Sequence, residues 1–398
     1  MVYEIIKHHI VTMERKRNKL IFYVTEDWYF CSHRLPIARA AQNAGFEVVV
    51  ATHVGKHGIC IQQEGFRLIP LAMRRRSRNP FREMAAIFEI LWIYRREQPD
   101  LVHHVAMKPV IYGSLAARIA GVPAVVNALA GLGFVFSSDR WMAKLLRPWI
   151  RSVFRRLLNQ ACGKVILQNP DDQRLLTESG VLPVDRTVLI RGSGVDVSQF
   201  RASSEPDGGA IVITLVARML LDKGVVEFVQ AARLLKQRGL SFRAILVGEP
   251  DPENPSSIPG NQLLAWQSEG VIEWWGRRND IPAVWVQSHI AVLPTTYGEG
   301  VPKSLIEAAA CARPIIATDV PGCREIVAHE SNGLLVPVKD PAALADAIER
   351  LVTDPALRQS MGVKGRELVQ REFAEPIVVR KTLDLYRSML GQRWPEST

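Results

Sequence analysis

Short runs of Val, Ile and Leu alternate with amphipathic stretches along most of the chain, and this alternation limits the possible folds more than any other feature. In the first half the runs are LIFYV (20–24), EVVVA (47–51), LVHHV (101–105), AVVNAL (124–129) and KVILQ (164–168). In the second half they are IVITLVA (211–217), FRAILVG (242–248), IAVLP (290–294) and PIIAT (314–318). Such runs are typical of strands buried on both faces of a parallel sheet, and parallel strands need helical connections. The sequence therefore predicts an α/β chain with two doubly wound units.

Helical patterns lie between these runs and complete the predicted organisation. They cover Leu35–Ala44, Phe81–Arg96, Val225–Arg238, Ser304–Ala312, Ala342–Thr353 and Pro376–Leu390. The polar stretch RASSEPDGG (201–209) has the composition of a linker. We expect an extension over residues 1–18, an amino-terminal domain over 19–200, a carboxy-terminal domain over 201–374, and a segment 375–398 whose helix returns to the first domain.

Composition excludes several classes of protein. Of 398 residues, 47% are hydrophobic and 23% charged, which excludes a disordered chain, a collagen-like fibre and a disulfide scaffold. We find neither a run of 18 apolar residues nor an apolar leader, so we expect no membrane-spanning helix and no secretory signal. The five cysteines are scattered without zinc-ligand spacing, which predicts a reducing cytoplasm. Residues 1–190 carry 27 Lys and Arg against 15 Asp and Glu, so the basic surface lies in the first half.

The segment Tyr297–Glu307 (YGEGVPKSLIE) follows the apolar run IAVLP and leads into a predicted helix. In open parallel sheets ligands bind beyond the carboxyl ends of strands, and N–H groups of a glycine-rich turn at a helix start bind phosphate. Glu299 in the turn and Glu307 in the helix can therefore face one site. The alternative is structural, because Ser304 and Glu307 also fit a capping box.

Two cations follow the run IVITLVA in the same predicted sheet. Arg218 has a planar guanidinium that can donate two parallel hydrogen bonds, and Lys223 has a compact ammonium charge. Gly224 directly follows Lys223. Two cations and a glycine at a strand-to-helix connection suit a diphosphate. The alternative is a solvated pair, which is the commoner situation for a single basic residue.

Together these residues resemble the large family of retaining glycosyltransferases with the GT-B fold, described as glycosyltransferase family 4-like. Glu299 and Glu307 are separated by seven residues, the two cations precede them, and PIIATDVPGCREIV and NGLLVP follow them. The resemblance extends from about Lys19 to Leu390. The segments TEDWYFCSHRLPIARAA, HHVAMKPVIYGSLAARIAG and NALAGLGFVFSS resemble more narrowly the bacterial enzymes that extend polyprenyl-diphosphate-linked glycans, such as N-acetylgalactosaminyltransferases. The resemblance implies two Rossmann-like domains that face a central cleft.

The resemblance also implies roles for the charged residues. Arg218 and Lys223 would hold the diphosphate of a nucleotide-sugar and stabilise the charge on the leaving group. Glu299 would contact the transferring sugar, and Glu307 would bind the ribose hydroxyls. These cations and the helix dipole take the place of a metal ion in the family, so we expect neither a metal nor another cofactor.

The remaining donor contacts come from two turns. Gly300, Val301 and Pro302 would form the phosphate-side turn, in which Gly300 and Val301 donate backbone N–H groups and Pro302 has none to give. Gly276 and Arg277, in WWGRRND, would lie near the nucleotide base.

Two histidines end the run LVHHV. His103 and His104 point to opposite faces of the predicted strand, so one of them should face the cleft. Relatives often carry a histidine here beside the donor sugar, and His103 fits that catalytic position better. The alternative for either histidine is a packing role. His104 remains a candidate for acceptor binding, and Lys108 in the following loop could meet an acceptor phosphate.

The segment TEDWYFCSHRLP stands where family members more often have a glycine-rich loop. His33 and Arg34 in this segment could reach an acceptor diphosphate, and Trp28 could contact a lipid or a sugar face. This departure from the family pattern leaves the acceptor contacts to be established on this chain itself.

A basic amphipathic pattern covers residues 140–160. Apolar residues recur at every fourth position, and they are Trp141, Leu145, Trp149, Val153 and Leu157. Basic residues occupy another face, and they are Lys144, Arg147, Arg151 and Arg155. The segment contains no Asp or Glu. This pattern is typical of a helix on an anionic membrane surface. The segment 73–96, with MRRRSR and the aromatic residues Phe81, Phe88, Trp92 and Tyr94, could join it. The alternative is that the apolar stripe packs into the core.

These features predict a retaining hexosyltransferase that acts in the cytoplasm at the inner face of the cell membrane. It would move a sugar, which we expect to be an N-acetylhexosamine, from a UDP-sugar to a polyprenyl-diphosphate-linked saccharide in the assembly of cell-surface polysaccharide. The partners would be these two substrates and the membrane, and no nucleic acid. The alternatives are a sugar-nucleotide epimerase of the same fold and a basic nucleic-acid-binding protein. The carboxylate spacing disfavours both, and no nucleic-acid-binding module is recognised.

Overall fold

The computed structural model describes residues 18–75, 79–129, 131 and 141–395, and only the backbone of 141–147 and 149. The chain forms two compact units. The first comprises Met1–Ala128, Gln160–Lys164 and Thr382–Thr398, and the second comprises Leu129–Asn159 and Val165–Lys381. Most of the predicted extension over 1–18 lies outside the described residues.

Two parallel sheets organise the described chain. The first has the order β3-β2-β1-β4-β5-β6-β7, and its strands are Lys19–Glu26, Glu47–His53, Arg67–Pro70, Leu101–Val105, Ala124–Leu129, Gly163–Leu167 and Thr187–Leu189, numbered β1 to β7. The second has the order β10-β9-β8-β11-β12-β13, and its strands are Ile211–Val216, Phe242–Val247, Glu273–Trp274, Ile290–Leu293, Ile315–Thr318 and Gly333–Val336, numbered β8 to β13. In both sheets the order reverses beside the first strand, as in doubly wound folds.

Helices connect the strands. In the first half they are Asp27–His33, Leu35–Asn43, Gly58–Gln63, Pro80–Glu97, Met107–Ala120, Trp141–Leu158 and Pro170–Glu178, numbered α1 to α7. In the second half they are Val225–Gln237, Gly260–Ser268, Ile281–Val286, Lys303–Ala310, Cys323–Ile326, Pro341–Thr353, Pro355–Leu368 and Glu375–Leu390, numbered α8 to α15. None of the helices in the described ranges is long and apolar enough to cross a bilayer.

The predicted strands and helices are confirmed, and their ends agree to within one or two residues. Agreement is close because these strands are mostly apolar and lie wholly in the core: every residue of β4, β5, β11 and β12 is buried. The short strands β3, β7, β10 and β13 were not predicted. In β3, β7 and β10 exposed or half-buried residues interrupt the apolar pattern, and β13 has only four residues.

The bounds of the two compact units neither confirm nor contradict the predicted domain boundaries. The strands β6 and β7 belong to the first sheet, whereas most of their residues fall within Val165–Lys381 of the second unit. The boundaries at residues 200 and 374 therefore stay a prediction.

Candidate active site

A largely buried ion pair of the second unit lies where the order of its sheet reverses. Lys223 follows β8 in a short 3-10 turn, and Glu299 lies in the loop after the neighbouring strand β11. Nζ of Lys223 and Oε2 of Glu299 form an ion pair in which both side chains are largely buried. The carboxyl ends of strands at such a reversal are where open α/β sheets bind ligands.

Glu299 keeps an acceptor for a ligand. Its second oxygen, Oε1, is buried and has no hydrogen-bond partner among the described residues. Burying a hydrogen-bond acceptor without a partner costs free energy. Such an atom therefore indicates a position at which a ligand can donate a hydrogen bond.

Arg218 also has an acidic partner. Its Nη1 lies 2.6 Å from Oδ2 of Asp251, and the Arg218 side chain is 37% exposed. Asp251 follows β9 and was not among the predicted site residues. Arg218 and Lys223 thus keep their charges neutralised by carboxylates on this edge of the sheet.

Glu307 lies on α11, and the structure excludes its capping alternative. The helix begins at Lys303 with Pro302 as its N-cap, and no side chain makes a capping hydrogen bond, so Ser304 stands one position inside the helix. The Glu307 carboxyl is buried and 3.8 Å from Nζ of Lys303. Burial raises the pKa of Glu307 to about 7, and the charge of Lys303 opposes this rise only in part.

The turn 300–302 has a different arrangement of donors from the predicted one. The N–H of Val301 donates to Oε1 of Gln168 at 3.0 Å, so the structure gives no support to the prediction that Val301 donates to phosphate. Pro302 has no N–H and serves as the helix N-cap. The backbone of Gly300 packs closely against Gly131 and Gly322. A Cβ on Gly131 would lie 3.0 Å from the Gly300 nitrogen, and a Cβ on Gly322 would clash with the Gly300 carbonyl oxygen.

Gly276 and Arg277 lie at the end of β10, in the same sheet. Gly276 adopts a left-handed φ of +63°, and its carbonyl accepts the N–H of Gly248 at 2.8 Å. Nη1 of Arg277 pairs with Glu249 at 3.1 Å, and both side chains are half exposed. No contact joins these two residues directly to Lys223 or Glu299 within the described ranges.

His103 in the first unit is buried with one unsatisfied nitrogen. Its Nδ1 hydrogen-bonds the hydroxyl of Tyr386, and its ring stacks on Phe22 with centroids 5.2 Å apart. Its Nε2 has no partner among the residues that the structure describes. Burial, with the nearby charge of Arg34, holds the pKa of His103 well below its usual range, so the ring is neutral.

The structure gives no support to the predicted acceptor role of His104. Its Nδ1 hydrogen-bonds Oδ1 of Asn127 at 2.7 Å, and its Nε2 hydrogen-bonds the hydroxyl of Tyr94 at 2.8 Å. The ring is fully buried, and burial lowers its pKa to about 4. Both nitrogens are engaged in the core, so His104 has the packing role that was its alternative.

His33 and Arg34 lie where α1 ends, and Arg34 is the single turn residue between α1 and α2. His33 ends α1 and stacks on Tyr29 with ring centroids 4.1 Å apart. Arg34 is 4% exposed, and Nη1 donates to the carbonyl of His33 at 3.3 Å. Its Nε has no hydrogen-bond partner among the described residues, and none of their carboxylates pairs with it.

Lys108 belongs to the first turn of α5, whereas a loop position was predicted. Its Nζ lies 2.9 Å from Glu83, which also accepts the Tyr112 hydroxyl, and 3.3 Å from the carbonyl of Arg74. These contacts already satisfy the Lys108 ammonium, so the structure gives no support to its predicted role on an acceptor phosphate.

The two predicted membrane segments differ in what the structure exposes. On α4 the large apolar side chains of Phe81, Met84, Phe88 and Trp92 are 85%, 53%, 62% and 59% exposed. Tyr94 on the same helix is buried against His104, so it does not belong to that face. On α6 the side chains of Phe154 and Leu158 are buried, and those of 141–147 and 149, like residues 76–78 and 140, lie outside the described part.

Several residues at this site were not predicted. Gln168 and Asn169 contact the loop of Glu299, Asp251 pairs with Arg218, and Tyr297 lies close enough to Lys223 and Glu299 for their charges to act on its phenol. The only signal in the sequence was the polar pair QN directly after the apolar run KVIL. No group of three or more His, Cys, Asp or Glu side chains in the described ranges could hold a metal ion.

Comparison with known proteins assigns the family. Residues 19–169 match the family model "Glycosyl transferase 4-like", and residues 210–354 match "Glycosyl transferases group 1". The chain is 28% identical over 366 residues to the N,N'-diacetylbacillosaminyl-diphospho-undecaprenol alpha-1,3-N-acetylgalactosaminyltransferase of Campylobacter jejuni, covering 89% of this chain and 94% of the relative. It is 26% identical to the UDP-Gal:alpha-D-GlcNAc-diphosphoundecaprenol alpha-1,3-galactosyltransferase of Escherichia coli, covering 79% and 82%.

Solved structures agree on the fold. The crystal structure of HepE from Anabaena in complex with UDP and glucose is 18% identical, covers 93% of this chain and all of its own, and superposes with a TM-score of 0.74. Sucrose-phosphate synthase from Thermosynechococcus elongatus gives a TM-score of 0.76 at 21% identity, covering 94% of this chain. The predicted pair of Rossmann-like domains is confirmed. The chain therefore belongs to the group 1 and family 4-like glycosyltransferases and is a glycosyltransferase with the GT-B fold.

Proposed function

We propose that this glycosyltransferase transfers an N-acetylhexosamine from a UDP-sugar to a polyprenyl-diphosphate-linked saccharide, with retention of anomeric configuration. The observation that carries the proposal is the pair Lys223 and Glu299 at the reversal of the second sheet, with one oxygen of Glu299 buried and unpartnered. The names of the C. jejuni and E. coli relatives support the acceptor class, and the E. coli name includes a UDP-sugar donor.

The donor diphosphate would bind Arg218 and Lys223. Each cation now has a carboxylate partner, and a diphosphate is a stronger acceptor that can replace Asp251 and Glu299. The cations then stabilise the charge that develops on the leaving diphosphate. We propose that they do so without a metal ion, in a reaction where the acceptor hydroxyl attacks from the same face and gives its proton to the leaving oxygen.

The carboxylates of Glu299 and Glu307 would bind different parts of the donor. Displaced from Lys223, Glu299 accepts hydroxyl groups of the transferring sugar with Oε2 as well as with Oε1. Glu307 accepts the ribose hydroxyls, and since burial raises its pKa, hydroxyl donors are needed to favour its ionised form.

Arg34 is the residue of the first unit best suited to an acceptor phosphate. A buried guanidinium without a carboxylate partner is costly, and an anionic group would stabilise it. His103 carries its unpartnered Nε2 near this charge, and its neutral ring can accept or donate a hydrogen bond to the substrate.

We propose that the enzyme works at the inner face of the cell membrane and that α4 contacts the lipid. Phe81, Met84, Phe88 and Trp92 follow one another at spacings of three and four residues, which places them on one face of the helix. Arg82 lies exposed near its start, Arg95 and Arg96 lie exposed at its end, and Arg96 stacks on Trp92 at 5.1 Å. Aromatic side chains flanked by arginines complement an anionic bilayer surface.

The test is a panel of nucleotide-sugars, with donor hydrolysis and thermal stabilisation measured on wild type and Glu307→Ala. One UDP-N-acetylhexosamine should stabilise the wild type and be hydrolysed slowly, also after treatment with EDTA. Glu307→Ala should lose both responses. Transfer to a short-chain prenyl-diphosphate saccharide, followed by NMR of the new linkage, tests acceptor and retention. If no nucleotide-sugar binds, the donor assignment is wrong; if binding needs a metal ion, the metal-free mechanism is wrong.

A further inference from the structure

Two adjacent side chains at the end of β6 hold the backbone on both sides of Gly300. Oε1 of Gln168 accepts the N–H of Val301 at 3.0 Å, and Nδ2 of Asn169 donates to the carbonyl of Glu299 at 3.3 Å. Both side chains are buried, with 6% and 0% of their surface exposed. Buried polar side chains are retained where their hydrogen bonds are made, and here these bonds reach the loop of Glu299.

Asn169 is itself fixed by α7. Its Oδ1 accepts the N–H of Asp172 at 2.7 Å as the N-cap of that helix, and its Nδ2 also donates to Oδ2 of Asp172 at 3.0 Å. An amide bonded at both ends cannot rotate away from the Glu299 carbonyl without breaking the cap. The donor to this carbonyl is therefore preorganised.

The opposite side of the same backbone is closed by other segments. The N–H of Glu299 donates to the carbonyl of Pro321 at 3.2 Å. Gly322 has a left-handed φ of +86°, and a Cβ there would lie 1.9 Å from the carbonyl oxygen of Gly300. The N–H and carbonyl of Glu299 are thus both engaged, and this fixes the direction in which its side chain leaves the loop.

We propose that Gln168 and Asn169 are positioning residues for Glu299. Neither touches the substrate; they hold the peptide groups on either side of Gly300 so that the Glu299 carboxylate, with its unpartnered Oε1, stays at the transferring sugar. This inference rests on the proposed function, in which Glu299 contacts that sugar. Because the nucleotide is bound by Arg218, Lys223 and Glu307, loss of the positioning residues slows transfer far more than it weakens UDP binding.

The test compares Gln168→Leu with Gln168→Glu. Leu removes the acceptor for the Val301 N–H, and we expect kcat to fall about 100-fold, as for an active-site group displaced by about 1 Å. UDP affinity, measured by calorimetry, should change by less than about threefold, since the nucleotide contacts remain. In Gln168→Glu the carboxylate again accepts the Val301 N–H. We therefore expect the kcat of Gln168→Glu to be at least about tenfold higher than that of Gln168→Leu.

Asn169→Asp and Thr214→Val complete the design. Asp keeps the cap oxygen for α7 but loses the donor to the Glu299 carbonyl, so kcat should fall while UDP binding remains. Thr214→Val removes a buried hydrogen bond to Ser288 in the same unit, 2.7 Å long, and should lower the melting temperature without changing kcat.

Three outcomes would overturn the positioning role while leaving the donor site intact. These are equal losses of UDP affinity and kcat in Gln168→Leu, no recovery in Gln168→Glu, and an equal loss of kcat in a Thr214→Val protein of matched melting temperature. A wild type that neither binds UDP nor hydrolyses a UDP-sugar would overturn the proposed function together with this inference.

Discussion

Lys223 and Glu299 form an ion pair across the two neighbouring strands at which the order of the second sheet reverses, although 76 positions separate them in the sequence. Both side chains are largely buried, so their charges are weakly screened. If the donor diphosphate binds Lys223 as proposed, it displaces Glu299, and the carboxylate then has both Oε1 and Oε2 available for the sugar. Under the proposed function this contact therefore couples diphosphate binding to the availability of Glu299.

The variant Glu299→Gln tests this coupling. It keeps the shape of the side chain but removes the charge that competes for Lys223, so we expect UDP to bind at least as tightly as to wild type. Donor hydrolysis and transfer should fall by about 100-fold or more, because a charged acceptor at the sugar is lost. Glu269→Gln, which changes an exposed carboxylate in the same unit, is the control and should have wild-type kinetics. Weaker UDP binding in Glu299→Gln would contradict the competition.

Glu307 gives the stability of the second unit a pH dependence of definite sign. Burial raises its pKa from 4.5 to about 7 in the folded state, so between these values the native protein binds more protons than the unfolded chain. Raising the pH through this window therefore favours unfolding. Relative to Glu307→Gln, the wild type should lose on the order of 3 kcal/mol of unfolding free energy from pH 4.5 to pH 7. Urea titrations of both proteins measure this difference, and parallel pH profiles would contradict it.

The same carboxyl should release a proton when the donor binds. In the proposed donor site the ribose hydroxyls would donate to the ionised form of Glu307 and so lower its pKa below about 7. Calorimetric titration of UDP near pH 7, in two buffers of different ionisation enthalpy, should show proton release by wild type and none by Glu307→Gln. Equal heats in both buffers for wild type would exclude Glu307 from ribose binding.

His104 is expected to contribute to stability and not to catalysis. Because both ring nitrogens are hydrogen-bonded in the core, His104→Ala should cost about 3 kcal/mol of unfolding free energy while leaving the kcat of the folded fraction unchanged. Gly113 supplies a second test, since a Cβ there would lie 2.5 Å from Nε2 of His104. Gly113→Ala should destabilise the wild type but stabilise His104→Ala, where the space is free and alanine favours the helix. Additive effects of the two substitutions would contradict this contact.

The sequence was sufficient for the long apolar strands and for the edge of the sheet at which Lys223 and Glu299 lie. Parallel strands such as β11 and β12 are apolar on both faces, so the runs themselves mark their bounds. Because the carboxyl ends of such strands share an edge, Lys223 and Glu299 could be expected near each other before any distance was known.

The contacts that tertiary structure creates could not be predicted. The hydrogen bond from Val301 to Gln168 joins residues 133 positions apart, and no local pattern marks Gln168 as its acceptor. On α4 both Ile90 and Phe88 are apolar, and only packing shows that Ile90 is buried and Phe88 exposed. The Ser304 capping pattern failed because the N-cap is Pro302, two positions earlier, so that Ser304 already lies inside the first turn.

Removal of the apolar face of α4 should reduce membrane binding. We expect each of Phe81→Ser, Phe88→Ser and Trp92→Ser to weaken binding to phosphatidylglycerol-containing vesicles about tenfold, as burial of a large apolar side chain implies. Leu264→Ser and Val363→Ser change apolar residues of the second unit that are 52% and 55% exposed, and they are the controls. Donor hydrolysis, which needs no lipid, should be unchanged in all five variants. If the controls lose as much vesicle binding as the α4 variants, α4 is not the contact.

Arginines on the same helix should make this binding depend on salt and lipid charge. Replacing Arg82, Arg95 and Arg96 by Gln should lower the affinity for anionic vesicles but not the weak affinity for vesicles of phosphatidylcholine alone. The wild type should bind less tightly as the salt concentration rises, and the triple variant should show a smaller slope. A salt dependence that is unchanged in the variant would exclude these arginines from the lipid contact.

Gly322→Ala should disturb the loop of Glu299 beyond the ordinary cost of its backbone conformation. Gly322 and Gly239 both have a left-handed φ, +86° and +78°, so an alanine at either position costs about 1–2 kcal/mol of stability. At Gly239 the added Cβ meets no atom within 4 Å, whereas at Gly322 it would lie 1.9 Å from the carbonyl oxygen of Gly300. We expect Gly239→Ala to lose stability alone. In Gly322→Ala the loop must shift. We therefore expect the kcat of folded Gly322→Ala to be about 100-fold lower than that of folded Gly239→Ala. Equal kcat in the two alanine variants would show that the backbone at Gly300 does not position Glu299.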